Sequence, residues 1–553
     1  MSLRAAGIPG LVALAALGGC EVAEGADQRP GPGADADSSA ATFQPFLSAE
    51  RCALCHSGSP RARALRNADG EDVSPFATWQ ASAMANAFRD PYWRAQMARE
   101  VELAPARAAE IEGLCLTCHA PAAHHAARLA GDPQPRLTGV LADLLTYPPK
   151  NRPWRAPEAG LGPAEVRTQT CPVFWHAMPG LLPVGFAEAK PAFPPVPQAG
   201  HMAGGVGQVD LDSRTCQACH MPDEGSMRIA RNPGGRDFDL GERDHVRSHA
   251  FLGANTLLAR MLRDHGDELD VRAPAFAFER VLQEARAFLG HETARVEIVR
   301  AQRDGTRLEL DVRVENLAGH ELPSGYPSRR AWLAVEVRLG EELVFSSGAW
   351  DERGRLVGVA DELALPHFDR IERPEEAQVY EMLALDEDGR VTTALGRMAR
   401  RAKDTRLLPR GWRTDGPHAD ETAPLGPGPE DDDFAGGSDT VTYAVTLPSA
   451  APATITARLC YQSVPPAWAA ALAGSDTAAA RRFLALYERA ELGPEILAMA
   501  VSGDDAASGS LPRTDRARGR EPDRSDGDSP KTPALVRFST ERPLALRAST
   551  LPP

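Results

Sequence analysis

Apolar and polar residues change rhythm twice along this chain. From Ala294 they alternate: Val296-Glu-Ile298-Val, Leu308-Glu-Leu310-Asp-Val312-Arg-Val314, Trp332-Leu-Ala-Val335-Glu-Val337. A period of two puts neighbouring side chains on opposite faces of a strand, and Asp304-Gly305 supplies a turn, so half-buried antiparallel strands are expected here. Val441 to Leu447 and Ala453 to Tyr461 continue the pattern, and residues 291–465 read as a β-sandwich. Upstream, Thr78 to Leu103 and Ala254 to Leu289 carry aliphatic residues at helical spacing, separated by irregular Pro-rich stretches. Ala467 to Leu492 is expected to be helical, within a helical segment over 466–500. Gly503 to Pro530 is polar and poor in hydrophobics, so 501–553 reads as a mostly disordered tail. The fold class is therefore α+β and multidomain: a loop-rich, partly helical domain over 46–290, then an antiparallel β-sandwich.

The start of the chain carries a different signal. Arg4 is followed by an apolar stretch from Ile8 to Leu17, broken by Pro9 and Gly10, and then by Leu17-Gly18-Gly19-Cys20. That run is too short to span a bilayer, and it reads as a secretory signal over 1–19. Its end resembles a bacterial lipobox, which implies cleavage before Cys20 and acylation of that residue; several acyl chains on one residue give stable anchoring. An ordinary signal peptide with a chance Cys is the alternative. Residues 20–45, rich in Gly, Ala, Asp and Ser, would then be a flexible tether. The expected place is the bacterial cell envelope, periplasm-facing or at the outer membrane.

Composition narrows the classes. The 553 residues include 48 Gly and 47 Pro, about 17% against a usual ~12%, which argues for long loops and against a helix bundle or doubly wound sheet. A net charge of −15 speaks against a nucleic-acid partner. Lys occurs only at Lys150, Lys190, Lys403 and Lys531; Arg supplies the other positive charges and follows no patch.

Three short motifs carry the chemistry: Cys52-Ala-Leu-Cys55-His56, Cys115-Leu-Thr-Cys118-His119 and Cys216-Gln-Ala-Cys219-His220. With nine Cys and 14 His in the chain, chance would give about 0.004 matches to C-x-x-C-H, so the pattern is selected. Two thiols three positions apart can each add to one vinyl group of a haem, and the adjoining His can then ligate the iron. A zinc site wants two paired hooks, and a redox disulfide needs no His. Neither explains an adjoining His three times over. Three haem c groups are expected, with His56, His119 and His220 as proximal ligands.

Each iron then wants a sixth ligand or an open position. A second imidazole gives a low-spin iron suited to electron transfer, whereas a vacancy admits substrate. His201, His245, His249 and His320 are the imidazoles to weigh, with Met84 and Met202 as weaker alternatives. A lone His is more often an ordinary surface or hydrogen-bonded residue.

Ser82-Ala-Met84-Ala-Asn86-Ala-Phe88-Arg89-Asp90-Pro91-Tyr92-Trp93, Cys118-His119-Ala-Pro121 and Arg247-Ser248-His249-Ala-Phe251-Leu-Gly253 resemble segments of exported multihaem cytochromes c. These are related to the tetrahaem cytochrome c of nitrifying bacteria. The most specific match is Asn316-Leu-Ala-Gly319-His320-Glu-Leu-Pro323-Ser-Gly325-Tyr-Pro327-Ser-Arg329-Arg330. Lys403-Asp404-Thr-Arg406-Leu-Leu-Pro409 and Gly437-Ser-Asp439-Thr-Val-Thr-Tyr443 extend the resemblance over 46 to about 490. It implies a multihaem cytochrome c domain over 46–290, His320, His249 and His201 as distal iron ligands, and a sandwich packed on the haem region with His320 reaching across. One departure stands out. Where the family carries another C-x-x-C-H, this chain has Thr170-Cys171-Pro-Val-Phe174-Trp175-His176. Phe174 replaces a thiol and His176 is one residue late, which favours three haems over a fourth at Cys171.

The expected function is a membrane-anchored electron carrier working with redox proteins of the cell envelope. The alternative is a haem enzyme of hydroxylamine oxidoreductase or nitrite reductase type with one open iron. A surface-binding lipoprotein with secondary haems is a third reading. Two lesser features remain. Glu430-Asp431-Asp432-Asp433 with Asp439 could hold calcium or simply be a solvated acidic loop, and Cys460 reads as a small buried hydrophobe.

Overall fold

The structure is a computed structural model. It describes residues 49–129, 131–132, 134–137, 216–410 and most of 412–503. The signal, tether, lipobox Cys20, Cys171, His176, His201, Met202 and the tail beyond 503 lie outside the described residues.

The first part is helical: α1 (Ala49–His56), α2 (Pro75–Trp79), α3 (Pro91–Leu103), α4 (Ala108–His119), α5 (Pro121–Leu129), α6 (Cys216–His220), α7 (Thr256–Asp264) and α8 (Ala275–Glu292). The helical stretch expected from Thr78 to Leu103 is interrupted over 80–90. Asp90 ends that interruption by accepting the amides of Tyr92 (2.8 Å) and Trp93 (3.1 Å), and Pro91 takes the first helical position, where its missing N–H costs nothing. The stretch from Ala254 to Leu289 is likewise two helices, parted by a segment that ends at Pro274.

Strands begin at Ala294: β1 (Ala294–Asp304), β2 (Arg307–Asn316), β3 (Arg330–Leu339), β4 (Glu342–Ser347), β5 (Arg370–Ile371), β6 (Val379–Tyr380), β7 (Met382–Leu385), β8 (Arg400–Asp404), β9 (Ser438–Thr446) and β10 (Ala453–Gln462). Two short helices, α9 (Pro466–Ala470) and α10 (Ala478–Tyr487), precede β11 (Glu495–Gly503). The helical segment expected over 466–500 thus ends in a strand. Glu495–Gly503 pairs antiparallel with β10, whose edge would otherwise leave its amides and carbonyls unbonded.

One sheet runs β1-β2-β9-β5 and the other β11-β10-β3-β4, with β6 also on β3; β7 and β8 pair separately. Every pairing is antiparallel except β5 with β9. Leu308, Leu310, Val312 and Val314 of β2 share one hydrophobic core with Leu333, Val335 and Val337 of β3 and with Ile455, Ala457 and Leu459 of β10. The alternation along β2 hides nothing: its inward residues are buried and its charged ones face out. On β3 both faces are covered, because Trp332 and Ala334 pack with Leu356, Val379 and Cys460 in a second cluster. Cys460 is buried there and its thiol is pushed well above the ordinary range by burial, as expected for a small hydrophobe.

Helices and sheets meet through a third core. Tyr92 of α3, Leu258 of α7 and Phe278 of α8 pack with Trp468, Phe483 and Tyr487 of α9 and α10. Among the described residues, no helix is long and apolar enough to cross a membrane.

Candidate haem-binding sites

Each C-x-x-C-H motif lies on a helix that ends at its histidine: α1 at His56, α4 at His119 and α6 at His220. Each histidine turns Nδ1 to a backbone carbonyl brought in from elsewhere. His56 bonds Ile229 O at 3.0 Å, His119 bonds Ala87 O at 2.9 Å and His220 bonds Leu252 O at 2.7 Å. A carbonyl can only accept, so Nδ1 carries the proton and Nε2 holds the lone pair. That is the tautomer a metal-binding imidazole needs, with its ring orientation fixed from behind.

The surrounding chain holds each motif in place. The Arg231 guanidinium bonds Ser57 O (2.7 Å) and Leu54 O (2.9 Å), and the Arg231 amide bonds Cys55 O (3.0 Å), so one residue satisfies carbonyls at the end of α1. At α6 the contact runs both ways, since the Leu252 amide donates to His220 O at 2.9 Å. At α4 the ring of Trp93 stacks on His119, with centroids 4.1 Å apart and planes 6° from parallel. Burial lowers the His119 pKa to about 4, so the ring is neutral at ordinary pH. The side chains of Cys52, Cys55, Cys115, Cys118 and Cys219 are partly exposed and unbridged; for Cys216 only the helical backbone is described.

His320 stands opposite His220. Their centroids are 6.3 Å apart and their planes 8° from parallel. Two imidazoles bound to one metal through bonds of about 2 Å, with rings about 2 Å across, place their centroids about 6 Å apart. His320 bonds Glu321 O through Nδ1 at 2.9 Å, so its Nε2 too is the acceptor nitrogen. The turn that presents it is built by Asn316. Buried at the end of β2, its Nδ2 donates to His320 O (2.9 Å), Leu407 O (3.1 Å) and Leu408 O (3.1 Å), while Oδ1 accepts Ala318 N (2.8 Å).

The other imidazoles raised by the sequence differ. His249 is half-buried, bonding Arg247 O through Nδ1 at 3.3 Å and donating its amide to Thr78 Oγ1 at 3.1 Å. His245 lies at the surface, 2.7 Å from Asp223 Oδ2, and Met84 is exposed. His201 is not among the described residues.

A cavity opens beside Cys115, Cys118 and His119, walled on its other sides by α3 and by loops of the sheet region, including Tyr326, Ser328 and Arg329. Several polar atoms on its walls, among them Gln96 Oε1, Tyr326 Oη and Ser463 Oγ, are buried with no hydrogen-bond partner. Such orphans are costly and mark a place where something else should sit. Asp90 borders the same space, and burial raises its pKa to about 6 against the pull of two amides and Arg329. The cavity, the two thiols and the prepared imidazole together suit a haem attached at α4.

The acidic run resolves differently from a calcium loop. Asp431 and Asp439 converge on His367, their ligand atoms lying within 4.8 Å of one another. His367 Nε2 is 2.9 Å from Asp431 Oδ2, and Gln378 Nε2 donates to His367 Nδ1 (2.7 Å) and to Asp439 Oδ2 (3.2 Å). The Gln378 amide is oriented by the Phe368 amide on Oε1, so His367 Nδ1 accepts and Nε2–H faces Asp431. That is a buried hydrogen-bond chain, with Nε2 already carrying a proton.

Sequence reasoning did not find Trp93 as the cover of His119, the three carbonyls, Tyr326, or the His367 chain. Trp93 and Tyr326 lie inside segments already singled out, but only the fold brings them to α4.

No known protein family and no curated protein matches the chain. Among solved structures, a penta-haem cytochrome c552 from Thermochromatium tepidum is similar at 15% identity and a TM-score of 0.27, covering 54% of this chain and 48% of that one. The match spans about half of that cytochrome, and the likeness is too slight to fix a fold.

Proposed function

We propose that this chain is a multihaem c-type cytochrome that carries electrons in the bacterial cell envelope. The observation that carries the reading is the common preparation of His56, His119 and His220. Three motif histidines, on three helices, each give Nδ1–H to a carbonyl outside the motif and keep Nε2 for a metal. Ordinary buried or surface histidines have no reason to share that arrangement directly after paired thiols.

Three haem c groups would be held by Cys52 and Cys55, Cys115 and Cys118, and Cys216 and Cys219. His320 is the distal ligand opposite His220; His249 and His201 are the distal ligands for the others. The iron between His220 and His320 would then pin the sheet region, as a β-sandwich, to the helical part. Cys20 would carry the lipid that anchors the protein, and its partners would be redox proteins of the envelope.

Haem count with intact-protein mass spectrometry tests this reading. Three covalent haems are expected; none would overturn it, and four would restore Cys171 as an attachment site. Cys20→Ser should release the protein from membranes; retention at wild-type level would remove the lipid anchor. The alternative, a haem enzyme with one open iron, is favoured by a single feature, the orphaned polar atoms beside His119.

A further inference from the structure

A second, smaller cavity lies where α7 meets the end of β10. Its volume is about 10 Å³. Thr256 and Leu257, the first residues of α7, wall it with Arg260 one turn on, and Tyr461 and Ser463 face them from the end of β10 and just beyond. Three side-chain atoms of those residues, Arg260 Nε, Tyr461 Oη and Ser463 Oγ, are buried with no hydrogen-bond partner, and each residue is more than nine-tenths buried. Ser463 is shared with the larger cavity beside α4. All three atoms can donate, and Arg260 Nε can do nothing else.

We propose that this cavity binds one chloride-sized anion, held by Arg260, Tyr461 and Ser463 at the N-terminus of α7. The site takes no part in haem attachment and goes beyond the cytochrome reading.

The charges around it favour an anion. Arg260 Nη1 donates to Glu495 Oε1 at 2.6 Å, and Arg286 of α8 reaches the same carboxylate at 3.2 Å, so two guanidiniums share one counter-charge. Glu491 gives Arg260 only its carbonyl, at 3.3 Å, while its side chain is exposed. No side chain caps α7: Asn255 makes no cap bond, and its Oδ1 accepts from Arg329 at 3.3 Å instead. The positive end of the helix dipole therefore adds to the surplus. Burial pushes the Tyr461 hydroxyl above the usual phenol range, so it keeps its proton and can donate. The space is that of about one water-sized sphere, which admits a halide and excludes sulfate or phosphate. A halide takes all three protons, whereas a water molecule needs at least one hydroxyl turned round as an acceptor. The bound ion joins α7 to β10 across some two hundred residues of chain, and its binding energy adds to the stability of the fold.

Thermal melts of the purified full-length protein in sodium chloride, sodium bromide and sodium gluconate at equal ionic strength test the site. The two halides should raise the melting temperature and saturate, as mass action on one site requires. Tyr461→Phe keeps the ring and its packing, and Ser463→Ala keeps the backbone. Each hydroxyl lost should weaken chloride binding by about fivefold, the equivalent of one hydrogen bond, so the double variant should lose most of the halide-dependent rise. Crystals of the unaltered protein grown in bromide should show an anomalous peak within hydrogen-bond reach of Arg260 Nε. Equal melting temperatures in halide and gluconate, a halide rise that the double variant keeps, or water density in place of a bromide peak would each overturn the proposal. Haem count remains the test of the cytochrome reading, and none of these outcomes alters it.

Discussion

The His220 and His119 sites start from the same five-residue motif and end in opposite surroundings. At His220 the sheet region sends across a second imidazole, on a turn clamped by Asn316. At His119 the sheet region sends a phenol whose hydroxyl has no partner. On the proposed cytochrome reading the motif would specify attachment and the proximal nitrogen, and it says nothing about the far side of the iron. On that reading, what faces each iron is decided by loops a hundred or more residues downstream.

Four perturbations would sharpen or break that contrast. The largest effect is expected from His320→Ala, which should leave the His220 site without its second imidazole. Covalent haem should remain, since thioethers hold it, but one haem should turn high-spin or water-ligated. Optical and EPR spectra unchanged from wild type would remove His320 as a ligand. Next comes Asn316→Leu. It leaves three carbonyls and one amide without their side-chain partner, which should cost about 2–4 kcal/mol in urea unfolding, and it should split the low-spin signal into several forms. A cost under about 1 kcal/mol would mean that water replaces the clamp.

The third perturbation concerns pH at the His119 site. Burial raises the Asp90 pKa to about 6 in the fold, above its ordinary carboxylate value of 3.8. Folding therefore favours the protonated carboxyl. Its contribution to stability is complete below about pH 4 and is lost as pH rises through about 6. Asp90→Asn keeps a good helix cap and should flatten that slope in thermal melts between those values; an unchanged slope would place the titration elsewhere. The smallest effect belongs to Trp93→Phe. An aromatic ring remains over His119, so the stability cost should stay below about 1.5 kcal/mol, with attachment at Cys115 and Cys118 complete. Loss of that haem would show the indole to be needed for maturation.

Much of this was legible in the sequence. The motifs announce themselves, and the alternation in Leu308 to Val314 names the buried face of β2 residue by residue. The break before α3 departs from the helical stretch expected over Thr78 to Leu103, although Asp90-Pro91 inside it is a helix-start signal. What was hidden was of two kinds. The carbonyls of Ile229, Ala87 and Leu252 belong to the backbone, and no residue type marks a carbonyl that a histidine will use. The other kind is convergence across distance: Trp93 on His119, Tyr326 on the α4 cavity, and His367 with Asp431 and Asp439 are joined only by the fold. The strand Glu495–Gly503 lies between these cases. Its apolar residues suit a helix as well as a strand, and the open edge of β10 decides.

Asn316 also sets an order of events. Its carboxamide bonds the carbonyls of Leu407 and Leu408, so the turn that carries His320 takes shape only when chain some ninety residues further on has been made and folded. If α6 carries the proposed haem, that haem can be attached before this point, but a second imidazole cannot arrive until the sheets close. The colour of the maturing protein, passing from high-spin to low-spin at the His220 haem, would therefore serve as a clock for the completion of the sheet region.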